Sequence, residues 1–212
     1  MATYSKEQIL QLEDRYRRNL INSLMGARPA VLIGTADARG KTNLAVFSQV
    51  LHVGANPPLC GILFRPDSVD RHTLTNIRET SYFTINILAD GYAEKTHQTS
   101  ARYAADVSEF DAVGLEAEFI NECSAPAVKE AHIKVVCSLS EEIPIVSNGT
   151  ILIVGAMNWI EIDDSCLRGD GSVNHVEAQS LMVCGLDDYT TLKQVARFGY
   201  AKPDRKAEII PE

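Results

Sequence analysis

Residues 43–86 read NLAVFSQVLHVGANPPLCGILFRPDSVDRHTLTNIRETSYFTIN, and this stretch decides the fold. It contains three runs rich in apolar and β-branched residues, Leu44–Val53, Leu59–Phe64 and Tyr82–Leu88. Runs of this length and composition predict β-strands. The first run is apolar on both of its faces, so we expect it to lie near a barrel core or a contact between subunits.

A short polar segment separates the second run from the third. After Asp70, the apolar residues Leu74 and Ile77 fall three apart, which predicts a short helix starting near Asp70. Its first turn carries Arg71, His72 and Thr73. A helix N-terminus offers free backbone N–H groups and a partial positive charge, so an arginine and a hydroxyl there suit a phosphate group. In the alternative interpretation, Arg65 and Arg71 are solvated surface charges and Thr73 is an ordinary cap.

The flanking segments complete a pattern of strands with a few helices. Ser5 opens a capping box, and apolar residues at helical spacing then predict one amphipathic helix ending near Gly26. A strand over 29–36 and a turn containing Gly40 form a hairpin with the first run. Asn86, inside the third run, is a polar exception that needs a hydrogen-bond partner.

The second half of the chain predicts another hairpin. Ile133–Ile143 alternates as a strand, Asn148-Gly149 is a turn signal, and Thr150–Ile162 is a long strand that is apolar on both faces. We expect this last strand to be fully buried in a closed barrel or at a subunit interface. Residues 90–106 are helical in character, and a short helix is expected over 125–131.

Composition limits the classes of function. A single domain suits 212 residues, and a net charge of −8 argues against nucleic acid or an anionic membrane as partner. The five cysteines are an odd number without a C-x-x-C pair, so we expect buried free thiols, with Cys60 and Cys137 inside apolar runs. The five histidines lack metal-ligand spacing, so no metal site is expected. Since no leader or spanning run is visible, we expect a cytoplasmic protein.

Four segments together resemble one family, the flavin-reductase-like proteins with an FMN-binding split β-barrel. They are Arg28-Pro29 followed by the strand Val31–Thr35, the segment Asn43–Ser48, Pro57-Pro58-Leu59 leading into a strand that ends at Phe64-Arg65, and the segment Asp70–Glu79. The resemblance spans roughly residues 20–200, and its specificity comes from the order and spacing of all four segments.

The resemblance implies a mainly β (α+β) fold, a Greek-key split barrel of six strands with flanking helices. It divides the chain into an N-terminal helix packed on the barrel (1–26), an FMN-binding split-barrel domain (27–202) and a mobile tail (203–212). Dimerisation is usual in the family, so a homodimer is expected.

The resemblance also assigns roles to residues. The FMN phosphate would be bound by Arg65, Arg71, His72 and Thr73. The isoalloxazine ring and ribityl chain would be lined, largely through backbone groups, by Asn43, Ala45, Phe47, Ser48 and Gln49. Phe64 and Asn76 would support the pocket, and Thr99 and Ser100 are candidate contacts from the helical region. The alternative for Thr99 and Ser100 is a plain surface helix.

The resemblance implies the transfer of a hydride from NAD(P)H to flavin or a small acceptor. Because the cofactor carries this chemistry, no catalytic side chain is predicted, and neither a Ser-His-Asp pattern nor a carboxylate pair is found. Two other interpretations remain open: an FMN-carrying electron-transfer protein without its own nicotinamide site, and a non-enzymatic FMN-binding module. An open nicotinamide site near Thr99, Phe198 and Tyr200 would discriminate among them. A flavin-dependent oxygenase or redox protein is an expected type of partner.

Overall fold

The computed structural model describes residues 1–69, 71–104 and 106–210. The helices are α1 (Lys6–Gln11), α2 (Asp14–Ser23), α3 (His72–Thr80), α4 (Ala93–Gln98) and α5 (Glu109–Val113), with 3-10 turns at Asp90–Tyr92 and Asp164–Cys166. The strands are β1 (Ala27–Pro29), β2 (Val31–Ala36), β3 (Thr42–Phe47), β4 (Val50–Ala55), β5 (Pro58–Phe64), β6 (Tyr82–Ile87), β7 (Ala117–Glu118), β8 (Ala127–Val128), β9 (Ile133–Ile145), β10 (Thr150–Ile162), β11 (Met182–Cys184) and β12 (Asp188–Thr190).

Seven strands form one antiparallel sheet in the order β3-β2-β6-β9-β10-β5-β4. The outermost strands, β3 and β4, are consecutive in the chain, and only Ser48 and Gln49 lie between them. Three Cα steps span at most about 11 Å, whereas the outer strands of a flat seven-stranded sheet lie about 29 Å apart. The sheet must therefore curl until its two edges meet near Ser48.

The hydrophobic core supports the same shape. Val31 and Ile33 of β2 share one buried cluster with Ile62 and Phe64 of β5, although these strands are four positions apart in the sheet. Leu74 and Ile77 of α3 belong to the same cluster, so α3 packs on the inside of the curl. Where β10 passes Phe83, a Cβ at residue 155 would lie 2.4 Å from the ring, and only glycine permits this approach.

The expected split barrel of six strands differs from this sheet in its number of strands, and a closed barrel is not seen in the part of the chain that the structure describes. The sheet contains seven strands, and within the described ranges no ladder joins β3 to β4. The prediction of one continuous strand over Leu44–Val53 is wrong, because the chain bends at Ser48 and changes from one edge of the sheet to the other. At this corner the Leu63 N–H donates to the Gln49 carbonyl at 2.9 Å.

The N-terminal segment forms two helices where one was expected. The capping box at Ser5 is confirmed, but α1 ends at Gln11 and the Glu13 carboxylate caps α2 by accepting from the N–H groups of Arg15 and Tyr16. Neither helix contains a buried residue. The Arg28 guanidinium links α2 to β1 by donating to the Asn22 carbonyl at 2.7 Å.

Three further sequence expectations change. The predicted start of α3, Asp70, lies outside the described residues, and the helix begins at His72. Residues 90–106 contain a 3-10 turn and the short α4 rather than one helix, and Ala105 lies outside the described residues. The helix expected over 125–131 is wrong, because Ala127 and Val128 form β8, paired with β7.

The long strand β10 has the predicted bounds but not the predicted burial. Its first half is buried, whereas Trp159 and Ile160 in its second half are 45% and 53% exposed. Full burial within one subunit is therefore wrong, and the exposed half presents apolar side chains to the surroundings.

The buried polar residues in this sheet are paired. Asn86 is fully buried, donates to the Leu32 carbonyl at 3.0 Å and accepts from the Val128 N–H at 2.8 Å. Cys60 and Cys137 are buried free thiols, as expected. At the C-terminus the chain folds back on itself, with Gly199 N–H donating to the Glu208 carbonyl at 2.9 Å. The mobility expected of 203–212 stays a prediction.

Candidate functional site

The first turn of helix α3 lies beside the start of strand β3, where Thr73 contacts Asn43. Leu74 and Ile77 anchor its inner face in the core, and Ser81 in a left-handed conformation (φ 65°) ends the helix. Arg71 occupies the N-cap position, and no described side chain caps the first turn. The N–H groups of this turn therefore have no side-chain acceptor among the described residues, which suits an anion.

A buried polar network joins α3 to the strands below it. The Asn43 amide nitrogen donates to the Thr73 hydroxyl at 3.0 Å and to the Thr35 hydroxyl at 3.2 Å. The Asn76 amide nitrogen donates to the same Thr35 oxygen at 3.1 Å. All four residues are less than 9% exposed. Hydrogen bonds thus join the predicted site residues Asn43, Thr73 and Asn76. Two of these bonds end on Thr35, which the sequence reasoning missed.

The loop before α3 is held on both sides. The Arg71 Nε donates to the Pro66 carbonyl at 2.9 Å and so closes the loop at its end. The Arg78 guanidinium binds the Asp67 carboxylate at 3.2 Å and both carboxylate oxygens of Glu142, at 3.1 and 2.5 Å. The hydrogen bonds from Arg78 lower the pKa of Glu142. Asp67 is thus part of the scaffold that fixes the loop.

Strand β3 is an outermost strand of the sheet, so one of its edges does not pair with a neighbouring strand. The two ends of this open edge differ. The Leu44 N–H points away from β2 and donates to the buried Glu109 carboxylate at 2.9 Å. Backbone groups alternate in direction along an antiparallel edge strand, so those of Val46 also point outward, while those of Ala45 and Phe47 face β2. Glu109 thus occupies the edge at Leu44, and the edge from Val46 onward can meet a ligand.

Aromatic side chains lie next to this edge. The rings of Phe47 and Phe64 pack edge-to-face with centroids 4.9 Å apart. Phe64 is buried, whereas Ala45, Phe47, Ser48 and Gln49 are half-buried. A partly accessible strand end beside an aromatic pair can accommodate a flat apolar ring.

The remaining predicted residues are more peripheral. Arg65 and His72 are exposed near the loop and the first turn of α3. Thr99 is buried, and its hydroxyl donates to the Thr96 carbonyl at 2.8 Å, so its hydrogen bond stays within the α4 region. Ser100 is exposed. The Thr96 hydroxyl, also buried, has no hydrogen-bond partner in the described part of the chain.

The residues missed by sequence reasoning are Thr35, Val46 and Glu109. Thr35 carried a detectable signal, since it is a polar residue within an otherwise apolar predicted strand, as Asn86 is. Val46 and Glu109 carried none, because strand direction and the return of α5 against β3 depend on tertiary structure.

Other features of the surface lie apart from this site. Cavities of about 430 and 350 Å³ are lined by α2 residues and by a group around Tyr82 and Cys123, and neither includes a predicted site residue. Within the described ranges, no group of three or more histidine, cysteine or acidic residues is placed to hold a metal ion. No described helix has the length and apolar character needed to cross a membrane.

Comparison with known proteins gives a consistent result. Residues 25–175 match the family profile described as "Flavin reductase like domain". A split-barrel protein of Shewanella frigidimarina NCIMB 400, which carries a provisional flavin reductase assignment, is 42% identical with a TM-score of 0.91; the match covers 95% of this chain and 100% of that one.

More distant structures share the fold. Nitrilotriacetate monooxygenase component B of Bacillus cereus is 22% identical with a TM-score of 0.81, covering 92% of this chain and 96% of that chain. Flavoredoxin of Methanosarcina acetivorans is 22% identical with a TM-score of 0.73, covering 96% and 97%. The curled sheet described above is therefore similar to known split-barrel structures.

Proposed function

Because the chain belongs to the flavin reductase-like family, we propose that it is an FMN-binding oxidoreductase that transfers a hydride from NAD(P)H to flavin or another small electron acceptor. The observation that carries this proposal is the hydrogen bond from Asn43 to Thr73. It joins the open edge strand β3 to the first turn of α3, so that a ring-binding edge and an anion-binding turn belong to one rigid unit.

The donor set fits FMN. The phosphate is assigned to the first turn of α3, which carries free N–H groups, Arg71 and the Thr73 hydroxyl, with Arg65 and His72 at the margin. We assign the ring and ribityl chain to the β3 edge and the corner after it, through backbone groups of Val46 and Ser48 and the side chains of Ala45, Phe47 and Gln49. The Asn43 amide serves the phosphate end of the site through its contact with Thr73. Phe64 and Asn76 support this surface from below.

The protein's part in the reaction is binding and orientation. A bound flavin supplies the redox chemistry, since its ring takes up a hydride and passes two electrons on. The β3 edge fixes the ring, and the α3 turn holds the phosphate. Thr99 and Ser100 are proposed to border the flavin from the α4 side.

An electron carrier is the second candidate, and the structural likeness to a flavoredoxin favours it over a flavin-free module. Such a carrier would bind FMN at the same residues but would receive electrons from a protein instead of a nicotinamide. The likeness to a monooxygenase component supports a flavin-dependent oxygenase as the recipient of reduced flavin. We also propose that the chain forms a homodimer.

The test is turnover with a panel of flavins. The purified protein is supplied with FMN, FAD or riboflavin, and oxidation of NADH and of NADPH is followed in air. A flavin reductase oxidises a nicotinamide at a rate that depends on added FMN and on enzyme concentration. Tight FMN binding without nicotinamide oxidation would favour the electron carrier, and the absence of flavin binding would overturn both candidates.

A further inference from the structure

We propose that Thr35 is the positioning residue of the phosphate-binding turn. This inference rests on the proposed function, because it concerns how the α3 turn is held for FMN. Thr35 lies at the end of β2, opposite Asn43 in the strand pairing, and is 0% exposed. Thr35 itself is not among the residues proposed to contact the ligand. It acts through Asn43 and Asn76.

Thr35 lies at the centre of the hydrogen-bond network. A threonine oxygen has two lone pairs, and here both accept from amide nitrogens, those of Asn43 and Asn76. The Asn43 amide nitrogen has two hydrogens, and both are used, one on Thr35 and one on Thr73. Thr35 thereby fixes the orientation of the Asn43 amide.

This orientation sets the direction of the Thr73 hydroxyl. Thr73 and Asn76 are three residues apart in α3 and lie on one helix face. Because the network holds both residues, it opposes rotation of the helix about its axis and movement of the helix away from the sheet. Because the Thr73 oxygen accepts from Asn43, its own hydrogen is left for another acceptor, and we assign that acceptor to an oxygen of the FMN phosphate.

If Thr35 served only to pack the core, a hydroxyl would not be needed at this position. Thr35 follows Val31 and Ile33 on the inward face of β2, and valine differs from threonine only in carrying a methyl group in place of the hydroxyl. A buried hydroxyl is retained only when it is hydrogen-bonded. Its partners here, Asn43 and Asn76, are themselves residues of the proposed site.

The experiment compares Thr35→Val with Thr35→Ser, using quenching of flavin fluorescence to obtain dissociation constants for FMN and for riboflavin. Riboflavin lacks the phosphate and serves as the internal control for folding and for the ring site. Thr35→Val is expected to weaken FMN binding about tenfold, as the loss of a buried hydrogen-bond network implies. Riboflavin binding should be unchanged, and Thr35→Ser should restore FMN binding.

Asn76→Ala is the second variant, should Thr35→Val fold poorly, and it should weaken FMN binding more than riboflavin binding. Unchanged FMN affinity in Thr35→Val, or an equal loss for FMN and riboflavin, would overturn the inference. These results differ from a failure of the proposed function, in which the unaltered protein binds neither flavin. Equal affinity of the unaltered protein for both flavins would remove the phosphate site and with it the role of Thr35.

Discussion

We propose that Arg71 is the cation that meets a phosphate at the first turn of α3. Its Nε is committed to the Pro66 carbonyl, which holds the side chain against the loop. This bond involves one of the five N–H donors of a guanidinium, so the side chain is both fixed and rich in donors. Arg65 lies exposed at the end of β5 and lacks a comparable anchor in the described contacts.

Replacing Arg71 with alanine is expected to weaken FMN binding by about 1.5–3 kcal/mol, which corresponds to about a tenfold to hundredfold rise in Kd. The physical reason is the loss of a charge-assisted contact to the phosphate. Arg15→Ala is the matched control, since Arg15 is an exposed arginine of helix α2, which carries no residue of the proposed site. An Arg71→Ala protein with unchanged FMN affinity would refute the phosphate assignment.

At the residue scale, sequence reasoning identified side chains better than it identified their contacts. The polar residues around α3 were visible as departures from apolar periodicity, and Asn43, Thr73 and Asn76 do lie together. What the sequence could not show is that Thr35 joins them, because the pairing of β2 with β3 and the docking of α3 decide which hydroxyl lies within reach.

At the scale of elements, α3 is attached to the sheet by the Arg78–Glu142 pair as well as by its core residues. Arg78 contacts Glu142 through two nitrogens, and Glu142 lies on β9, far from α3 in sequence. The arginine side chain is 40% exposed and the carboxylate 31% exposed, so solvent screens much of their attraction.

Replacing Glu142 with glutamine is expected to lower the free energy of unfolding by about 0.5–1 kcal/mol at pH 7. The pKa of Glu142 is lowered in the folded protein, so its contribution is present above the ordinary glutamate pKa of about 4.3 and is lost as the pH falls through the folded value. Urea unfolding at pH 7 and at successively lower pH measures this difference. The neighbouring, exposed Glu141→Gln is the control, and a pH-independent difference between Glu142→Gln and the unaltered protein would contradict the ion pair.

Element boundaries followed from sequence where local signals were strong. The turn after β2, the Asn148-Gly149 turn and both ends of β10 were predictable. Gly40 and Gly149 mark the two turns, and the apolar run of β10 stops at Asp163. The division of Leu44–Val53 into β3 and β4 was not, since the polar pair Ser48-Gln49 lies between two apolar stretches that each suit a strand. Its bend comes from the closing of the sheet edges at Ser48 and from the pairing of Gln49 with Leu63.

At the scale of the whole molecule, the curled sheet leaves apolar side chains outside. Trp159 and Ile160 at the end of β10 are about half exposed. Exposed apolar groups on a long strand are typical of contacts between subunits. Sequence reasoning predicted this strand to be buried, and one subunit alone does not bury it.

We therefore predict a dimer in solution, with twice the 23.3 kDa mass of the chain. Ile160→Asp should shift the protein toward monomer, because a charge at an apolar contact loses its hydration. Size-exclusion chromatography with light scattering measures the mass. Val146→Asp, at a residue 94% exposed in the β9–β10 turn, should remain dimeric. A monomeric unaltered protein, or an Ile160→Asp protein that stays fully dimeric, would exclude this face as the interface.

The most direct test of the central claim is reduction of the flavin-loaded protein without oxygen. The protein is loaded with FMN, freed of excess flavin and titrated with NADH and with NADPH while its absorption spectrum is recorded. The proposed function predicts that the flavin bands bleach with one equivalent of the preferred nucleotide and return when air is admitted. Bound flavin that neither nucleotide bleaches, while a chemical reductant does, would contradict a reductase and leave an electron carrier.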